Sequence, residues 1–316
     1  MPEGPEVALK AEELNAYISK YGDILINIEY KTCKKYNATL DEPIRIKRIF
    51  SRGKVIIWEC EGNDNNEEVY IVIHLGMTGN FVYGKKDSDN HSDSDKHSHK
   101  HNHVKFTFLS NNERNEEIYE YVIYFSDIRK FGSVDKCDSK KLKDILKNHG
   151  PCLLTAAKMN YENYENNNKN ENNENNQNHE LSKYQEPATL EIFKNKLQMR
   201  NKRSRTKICI AEYLMEQKNT SGIGNYLRAE ILYVCKMSPY KSISELNDKE
   251  IELLYNKTIE TIYQSWLCKG PSAGYIFNGC FPLLVYGKKT DKYGNKILTY
   301  TDKNNRTVHY AENIQV

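Results

Sequence analysis

The chain has 316 residues, 38% of them hydrophobic, with a mean hydropathy of −0.78 and a formal net charge of +3. This length suits two compact domains, and so mild a charge does not by itself indicate a nucleic-acid partner. The sequence has no apolar run near the roughly 20 residues that span a bilayer, and its acidic start predicts no signal peptide and no membrane partner.

The eight cysteines are scattered along the chain and form no C-x-x-C pair. This spacing argues against a disulfide framework and against a cysteine-type zinc site. We therefore expect a reduced, intracellular compartment, with no structural metal and no cofactor.

The first half of the chain begins with a predicted helix and continues with predicted strands. Pro5 stands near the start of a helix over residues 5–19, and Glu6 falls in its first turn. β-branched and aromatic residues then dominate four segments separated by polar turns, at 54–58, 69–73, 104–108 and 121–125. Short strands of this kind predict a β-sandwich with the first helix packed against it.

Two polar stretches interrupt this pattern. Residues 87–103 are rich in histidine, and residues 160–183 are dominated by Asn and Glu. Neither can bury enough apolar surface to offset the entropy of ordering, so we predict a loop insertion and a domain linker.

The second half changes to helical periodicity and ends in a hairpin. Helices are predicted at 188–200, 205–218, 224–236 and 248–266, and strands at 297–301 and 307–311 around a polar turn. The predicted fold class is α+β. Its parts are a β-sandwich domain at 1–155, a linker at 156–186, a helical domain at 187–270 and a terminal hairpin at 271–316.

The N-terminal hexapeptide, Met-Pro-Glu-Gly-Pro-Glu, has a chemical interpretation. Once Met1 is removed, the secondary amine of Pro2 can attack an aldehyde-level carbon and form an iminium. Its reference pKa of about 7.7–8.0 leaves part of the amine neutral near pH 7. Glu3 stands beside it as a proton shuttle. Taken alone, the hexapeptide is more typical of an ordinary helix start than of a nucleophile.

Five motifs follow one another along the chain: the N-terminal MPEGPEV, Arg52-Gly53-Lys54, His74 to Gly79, Asp127 to Gly132, and Ser221 to Glu230. Together they resemble the Fpg/Nei family of DNA glycosylases. That resemblance implies a β-sandwich, a helix-two-turn-helix domain and enzymes that excise damaged bases. Gly4 and a tail without cysteines after Cys280 are similar to the eukaryotic-type Nei-like members with a zincless finger.

The resemblance implies catalytic roles for five residues. Pro2 would attack C1′ of the damaged nucleoside, and Glu3 would move protons during base loss and elimination. Lys54 would hold a phosphate and keep the Pro2 amine deprotonated. Glu6 and Glu230 would support this network.

The resemblance also implies a DNA-binding set. Met77, Arg129 and Phe131 match the residues that fill the gap left by an extruded base. Gly222, Gly224 and Asn225 would grip a phosphate beside the basic run at 194–207.

In the family members that this chain resembles, the terminal hairpin also contacts DNA. The resemblance therefore implies that Arg306, at the hairpin tip, clamps phosphates. Without zinc the hairpin must hold by packing, and Tyr300 and Tyr310 are candidates for it.

We therefore predict a bifunctional DNA glycosylase and AP lyase that removes oxidised pyrimidines. Its expected partner is damaged DNA, mainly duplex and alternatively single-stranded. We expect a monomer in the nucleus or another DNA-containing compartment. The alternatives are a non-catalytic damaged-DNA-binding protein, which would not need Pro2, Glu3 and Lys54 together, and a metal-binding protein centred on the histidine-rich loop.

Overall fold

A computed structural model describes residues 2–30, 35–61, 68–85, 100–110, 118–168, 181–272 and 277–316. These residues form two compact units. The first contains Met1–Pro2 and Val7–Leu146, and the second contains Glu3–Glu6 and Lys147–Val316. The histidine-rich stretch at 87–99 and the middle of the predicted linker at 169–180 lie outside the described residues.

The first unit is a nine-stranded sheet flanked by two helices. Helix α1 is Gly4–Tyr21, of which the first turn belongs to the second unit, and α2 is Ser139–Leu146. The strands are β1 Ile24–Tyr30, β2 Tyr36–Asn37, β3 Ile44–Arg52, β4 Val55–Cys60, β5 Val69–His74, β6 Gly79–Lys85, β7 Asn102–Leu109, β8 Glu120–Asp127 and β9 Ser133–Asp138. Their order in the sheet is β2-β9-β5-β4-β3-β1-β7-β8-β6.

The sheet folds back on itself, so that its two halves face each other. Trp58 of β4 lies 4.7 Å from the Phe106 ring of β7, although two strands separate β4 from β7 in the sheet. Tyr36 of β2, at one edge, stacks 5.8 Å from His103 on the other half. Both inner faces are apolar and share one core, which confirms the predicted sandwich as a single folded sheet.

Helix α1 packs on this sandwich through one apolar face. Val7, Ala11, Leu14 and Ile18 recur at helical spacing and are buried. The side-chain oxygen of Asn15 accepts the backbone N–H of β3 at Ile49 over 2.7 Å. This hydrogen bond fixes the helix against β3.

The second unit contains five α-helices, a short 3-10 helix and a hairpin among the residues that the structure describes. The α-helices are α3 Leu153–Asn168, α4 Leu190–Arg203, α5 Ile210–Met215, α6 Asn225–Val234 and α7 Asp248–Leu267. The 3-10 helix is Ile243–Glu245, and the hairpin strands are β10 Ile297–Thr301 and β11 Thr307–Ala311. Helices and strands match the predicted α+β class, although α5 is shorter than the predicted 205–218. None of these described helices is both long and apolar enough to cross a membrane.

Helix α3 corrects the prediction of a linker beginning at residue 156. The helix extends to Asn168 and enters the polar stretch. Ala156 and Ala157 are buried, and the Tyr161 ring stacks 4.0 Å from Tyr263 of α7. Packing against a neighbouring helix therefore overrides the local composition.

The hairpin packs on α6 through a small apolar core. Its buried residues are Ala229, Tyr233, Val285, Ile297 and Ala311. A second contact joins Tyr240 and Tyr300, whose rings stack at 4.5 Å, with Tyr310 edge-on to Tyr240 at 5.6 Å. Both predicted tyrosines thus contribute, but much of the packing comes from other residues.

Candidate active site

The carboxylate of Glu3 caps helix α6. Gly224 is the N-cap residue of this helix and has no side chain to accept the first amides. Glu3 supplies the acceptors instead: Oε2 takes the N–H groups of Gly224 at 2.7 Å and Leu227 at 3.2 Å, and Oε1 takes that of Tyr226 at 2.9 Å. Glu3 is only 2% exposed. The positive end of the helix dipole favours a carboxylate at this position.

Glu6 lies beside Glu3 and is also buried. Its Oε2 accepts the backbone N–H of Glu3 at 3.1 Å and the hydroxyl of Tyr226 at 3.1 Å. Burial, and then the neighbouring charge of Glu3, raise the pKa of Glu6 to about 7. Glu6 is therefore a carboxyl group that can exchange its proton near neutral pH.

Tyr226 links Glu6 to helix α7. Its hydroxyl lies 2.9 Å from Ser265 Oγ, and both side chains are buried. Burial, followed by the charges of Glu6 and Glu3, holds the pKa of Tyr226 well above its ordinary value. The phenol therefore stays protonated and remains a hydrogen-bond donor to Glu6.

Two glycines allow the chain to approach this cluster closely. The N–H of Gly4 donates to the Gly222 carbonyl at 2.8 Å, and a Cβ on Gly4 would lie 2.8 Å from the Gly222 Cα. Gly270 has φ +76°, and a Cβ there would lie 2.7 Å from Oε1 of Glu6. Larger side chains would displace Glu3 or Glu6.

The predicted phosphate grip at Gly222 and Gly224 needs correction. The Gly224 amide is bound to Glu3, and the Gly222 amide donates to Oε1 of Gln217 at 3.1 Å. These N–H groups are already engaged by side chains of the protein: the Glu3 carboxylate binds the helix N-terminus, and the Gln217 carboxamide binds the turn before it. The Gly222–Gly224 turn thus positions Glu3.

Asn225 joins the start of α6 to the hairpin. Its Nδ2 donates to the Thr307 carbonyl at 2.9 Å, and its Oδ1 accepts from the guanidinium of Arg228. Asn225 therefore lies next to the hairpin residue that follows Arg306, the exposed tip arginine. Both predicted phosphate-binding side chains meet at one end of the hairpin.

A buried ion pair shapes that tip. Arg228 Nη1 lies 2.7 Å from Oδ2 of Asp302, with the two side chains 0% and 1% exposed. The other oxygen of Asp302 accepts the amides of Asn304 at 2.9 Å and Arg306 at 3.0 Å. Burial alone would raise the pKa of Asp302, but the Arg228 guanidinium and these amides outweigh it and leave the pKa below its usual value. One carboxylate therefore both folds the turn and fastens it to α6.

Glu230 does not join the cluster around Glu3. Its carboxylate accepts the backbone amides of Leu284 at 2.7 Å, Val285 at 3.1 Å and Tyr286 at 2.8 Å. Burial raises the pKa of Glu230, and these three amides partly offset the rise. Its observed role is to anchor the segment that leads into the hairpin, which corrects the predicted catalytic support.

In the first unit, two loops bring the predicted gap-filling residues together. Arg129 Nη1 lies 3.5 Å from the sulfur of Met77, and Phe131 is 56% exposed. Asp127, fully buried, organises both loops by accepting the hydroxyl of Thr78 and the amide of Gly132, the latter at 2.7 Å. The exposed tips are therefore held from beneath by one carboxylate.

Pro2 and Lys54 also belong to the first unit, where Pro2 is buried and directly precedes Glu3. The sequence predicted that Lys54 is the first residue of a strand, but the structure places it differently. It occupies the two-residue turn between β3 and β4 after Gly53, whose φ is +58°. Its side chain is half-buried.

Two family models match this chain. The formamidopyrimidine-DNA glycosylase N-terminal domain matches residues 1–134, and the H2TH domain of the same enzymes matches residues 183–272. Together they span more than half of the sequence. The chain belongs to the Fpg/Nei family of DNA glycosylases.

Curated relatives and solved structures agree with this membership. A formamidopyrimidine-DNA glycosylase of Wolbachia pipientis wMel is 26% identical over 100% of both chains, and one of Lactococcus lactis is 26% identical over 94% of this chain and 93% of its own. Among solved structures, a Lactococcus lactis Fpg in complex with abasic-site DNA has a TM-score of 0.70 at 22% identity, with 99% of both chains covered. The Fpg complex with a THF-DNA and an inhibitor reaches 0.71 at 22% identity over 100% of both.

The structural roles of several residues, in one unit or the other, were not predicted from the sequence. Tyr226, Ser265, Asp302 and Asp127 are ordinary core or turn residues in any local pattern. Arg228 had a partial signal, because a buried arginine on an apolar helix requires an acidic partner. The sequence does not indicate which acidic residue that partner is.

Proposed function

We propose that this chain is a bifunctional DNA glycosylase and AP lyase of base excision repair that removes oxidised pyrimidines and related ring-damaged bases. The observation that carries the proposal is the fixed, buried carboxylate of Glu3, one residue after Pro2. Three backbone amides hold it, so its position needs no reorganisation when a substrate arrives.

The reaction begins at the nitrogen of Pro2 after removal of Met1. The amine attacks C1′ of the damaged nucleoside, the bond between C1′ and the base breaks, and the departing base takes up a proton. The Pro2 nitrogen then loses its proton, the bond between C1′ and the ring oxygen breaks, and that oxygen takes up a proton, which leaves an iminium that joins Pro2 to C1′. A positioned acid or base of this kind is typically worth about 10²–10⁴-fold in rate.

The lyase steps follow from that iminium. It makes the C2′ proton acidic, and Glu3 is the nearest base in sequence to remove it. Loss of that proton expels the 3′ phosphate, and a second elimination expels the 5′ phosphate. Glu6, with its pKa near 7, holds or releases a proton beside Glu3 between these steps. Lys54 binds a phosphate and disfavours the charged form of the Pro2 amine.

DNA binding is assigned to three described surfaces. Met77, Arg129 and Phe131 fill the gap left by the extruded base. Arg306 and Asn225 grip phosphates, and the exposed cations after α4 add nonspecific attraction. Solved Lactococcus lactis Fpg complexes hold DNA with an abasic site and DNA with an oxidised pyrimidine, which supports the same class of ligand here.

Borohydride trapping tests the nucleophile. We expect a covalent complex when sodium borohydride is added during reaction with a duplex that contains an oxidised pyrimidine. The matched control inserts one alanine between Met1 and Pro2, which removes the reacting amine and should abolish trapping while DNA affinity persists. Intact mass must show that Met1 is absent from the active protein. A non-catalytic DNA-binding protein would bind and give no trap in either form.

The substrate class is tested with a panel of defined lesions in duplex and single-stranded DNA. Faster excision of oxidised pyrimidines than of 8-oxoguanine is the expected result. Faster release of 8-oxoguanine would contradict the assignment to oxidised pyrimidines and leave the glycosylase chemistry intact.

A further inference from the structure

Cys268 directly follows helix α7, and Cys280 lies beside it at the far end of the segment 269–279. The backbone N–H of Cys280 donates to the Cys268 carbonyl at 2.8 Å. The main chains of the two cysteines are therefore in direct contact, and a disulfide requires Cα atoms about 4.4–6.8 Å apart. Burial, and then the neighbouring Cys280 thiol, raise the pKa of the Cys268 thiol. Both cysteines are free thiols.

Further main-chain contacts hold the residues that follow Cys268 against the residues around Cys280. Phe281 N–H donates to the Gly270 carbonyl at 2.9 Å, and Pro271 pairs with Phe281 in parallel register. A Cβ on Gly279 would lie 2.0 Å from the Gly270 carbonyl oxygen. The backbones are therefore in close contact around the cysteines, as a disulfide between them requires.

Exposure separates Cys280 from the other cysteines that the structure describes. Cys280 is the exposed one among them, whereas Cys60, Cys137 and Cys235 are buried. Burial raises the pKa of the Cys60 thiol to about 12 and that of Cys137 to about 11. Thiols that stay protonated are poor nucleophiles, so oxidants should reach Cys280 first.

We propose that Cys268 and Cys280 form a reversible disulfide in response to peroxide, and that this crosslink slows base excision by restraining the segment that packs on Glu6. The Cys280 sulfur attacks hydrogen peroxide, the O–O bond breaks, and a sulfenic acid and one water result. The Cys268 sulfur then attacks the Cys280 sulfur, forming the S–S bond and releasing a second water. The two sulfurs lose two electrons, which reduce the peroxide.

The link to activity passes through Gly270, two residues after Cys268. A Cβ built on Gly270 would lie 2.7 Å from Oε1 of Glu6, and Glu6 in turn accepts the backbone N–H of Glu3. A displacement of about 1 Å near a catalytic group can cost about 10²-fold in rate. We expect the oxidised enzyme to excise bases roughly tenfold more slowly. This second part rests on the proposed function.

The test treats the reduced full-length protein with hydrogen peroxide. Peptide mapping should find a Cys268–Cys280 crosslink that dithiothreitol reverses, and Cys280→Ser or Cys268→Ser should abolish it. Cys209→Ser, a half-buried cysteine outside the pair, is the matched control and should oxidise like the wild type.

Excision is measured on the same samples before and after dithiothreitol. A slower oxidised enzyme that recovers on reduction supports the proposal. Oxidation of Cys280 to a sulfinic acid without a crosslink, or a crosslink with unchanged excision, would overturn it. Failure of the proposed function is distinguishable, because the fully reduced enzyme would then excise nothing.

Discussion

Replacement of Glu6 by glutamine should change how the stability of the protein depends on pH. The pKa of Glu6 rises from an ordinary 4.5 to about 7, chiefly through burial and then through the charge of Glu3. This difference of about 2.5, at 1.36 kcal/mol for each unit, corresponds to about 3 kcal/mol. Because the folded-state pKa is the higher one, protonation of Glu6 favours the folded state. This contribution to the free energy of unfolding is fully present below pH 4.5. It is lost as the pH rises to about 7.

Glutamine keeps the acceptor for the Glu3 amide and the Tyr226 hydroxyl but cannot ionise. Between pH 4.5 and pH 8 the free energy of unfolding of the wild type should fall by about 3 kcal/mol through Glu6, and that of Glu6→Gln should not. Urea unfolding at pH 5 and pH 8 gives the free energy of unfolding for each variant. Glu252→Gln makes the same chemical change on the exposed surface of α7 and serves as the control. Parallel pH profiles for wild type and Glu6→Gln would refute the assigned titration near neutral pH.

Two further predictions concern the hairpin. Asp302→Ala leaves Arg228 buried without its ion pair and should lower the free energy of unfolding by about 3–5 kcal/mol in urea titrations. The exposed control Glu260→Ala should lower the free energy of unfolding by less than about 1 kcal/mol. Equal decreases for the two variants would show that the buried ion pair stabilises the fold no more than an exposed one. Arg306→Ala should weaken DNA binding and reduce the slope of log affinity against log salt by about 1. An unchanged slope, measured by fluorescence anisotropy, would exclude a phosphate contact.

Features set by neighbouring residues could be predicted from the sequence. The alternation in 297–301 and 307–311 around a polar turn predicted the hairpin, and the structure pairs Ile297 with Ala311 through Thr301 with Thr307. The two glycine-flanked loops were expected to expose Met77, Arg129 and Phe131. The close approach of the two loops requires a glycine, because Gly76 adopts φ +62° and a Cβ there would lie 2.6 Å from the Gly132 nitrogen.

Contacts between distant residues could not be predicted in the same way. Glu3 and Gly224 are separated by 221 positions, and no local pattern relates a carboxylate to a particular helix start. The glycines near 222 were assigned to phosphate because a helix N-terminus binds any anion. Sequence alone does not distinguish an internal carboxylate from a phosphate. Glu230 illustrates the same limit, since its three amide partners lie more than fifty residues away.

Helix α6 explains why the catalytic and DNA-binding proposals depend on each other. Its N-terminal amides fix Glu3, and its first turn carries Asn225 and Arg228, which fasten the hairpin. One turn later, Glu230 anchors the segment before the hairpin. A ten-residue helix thus sets the position of the proposed proton acceptor and of the proposed phosphate clamp. Because both functions share this scaffold, a substitution in α6 that lowers excision identifies a catalytic effect only if DNA affinity and hairpin stability are measured alongside it.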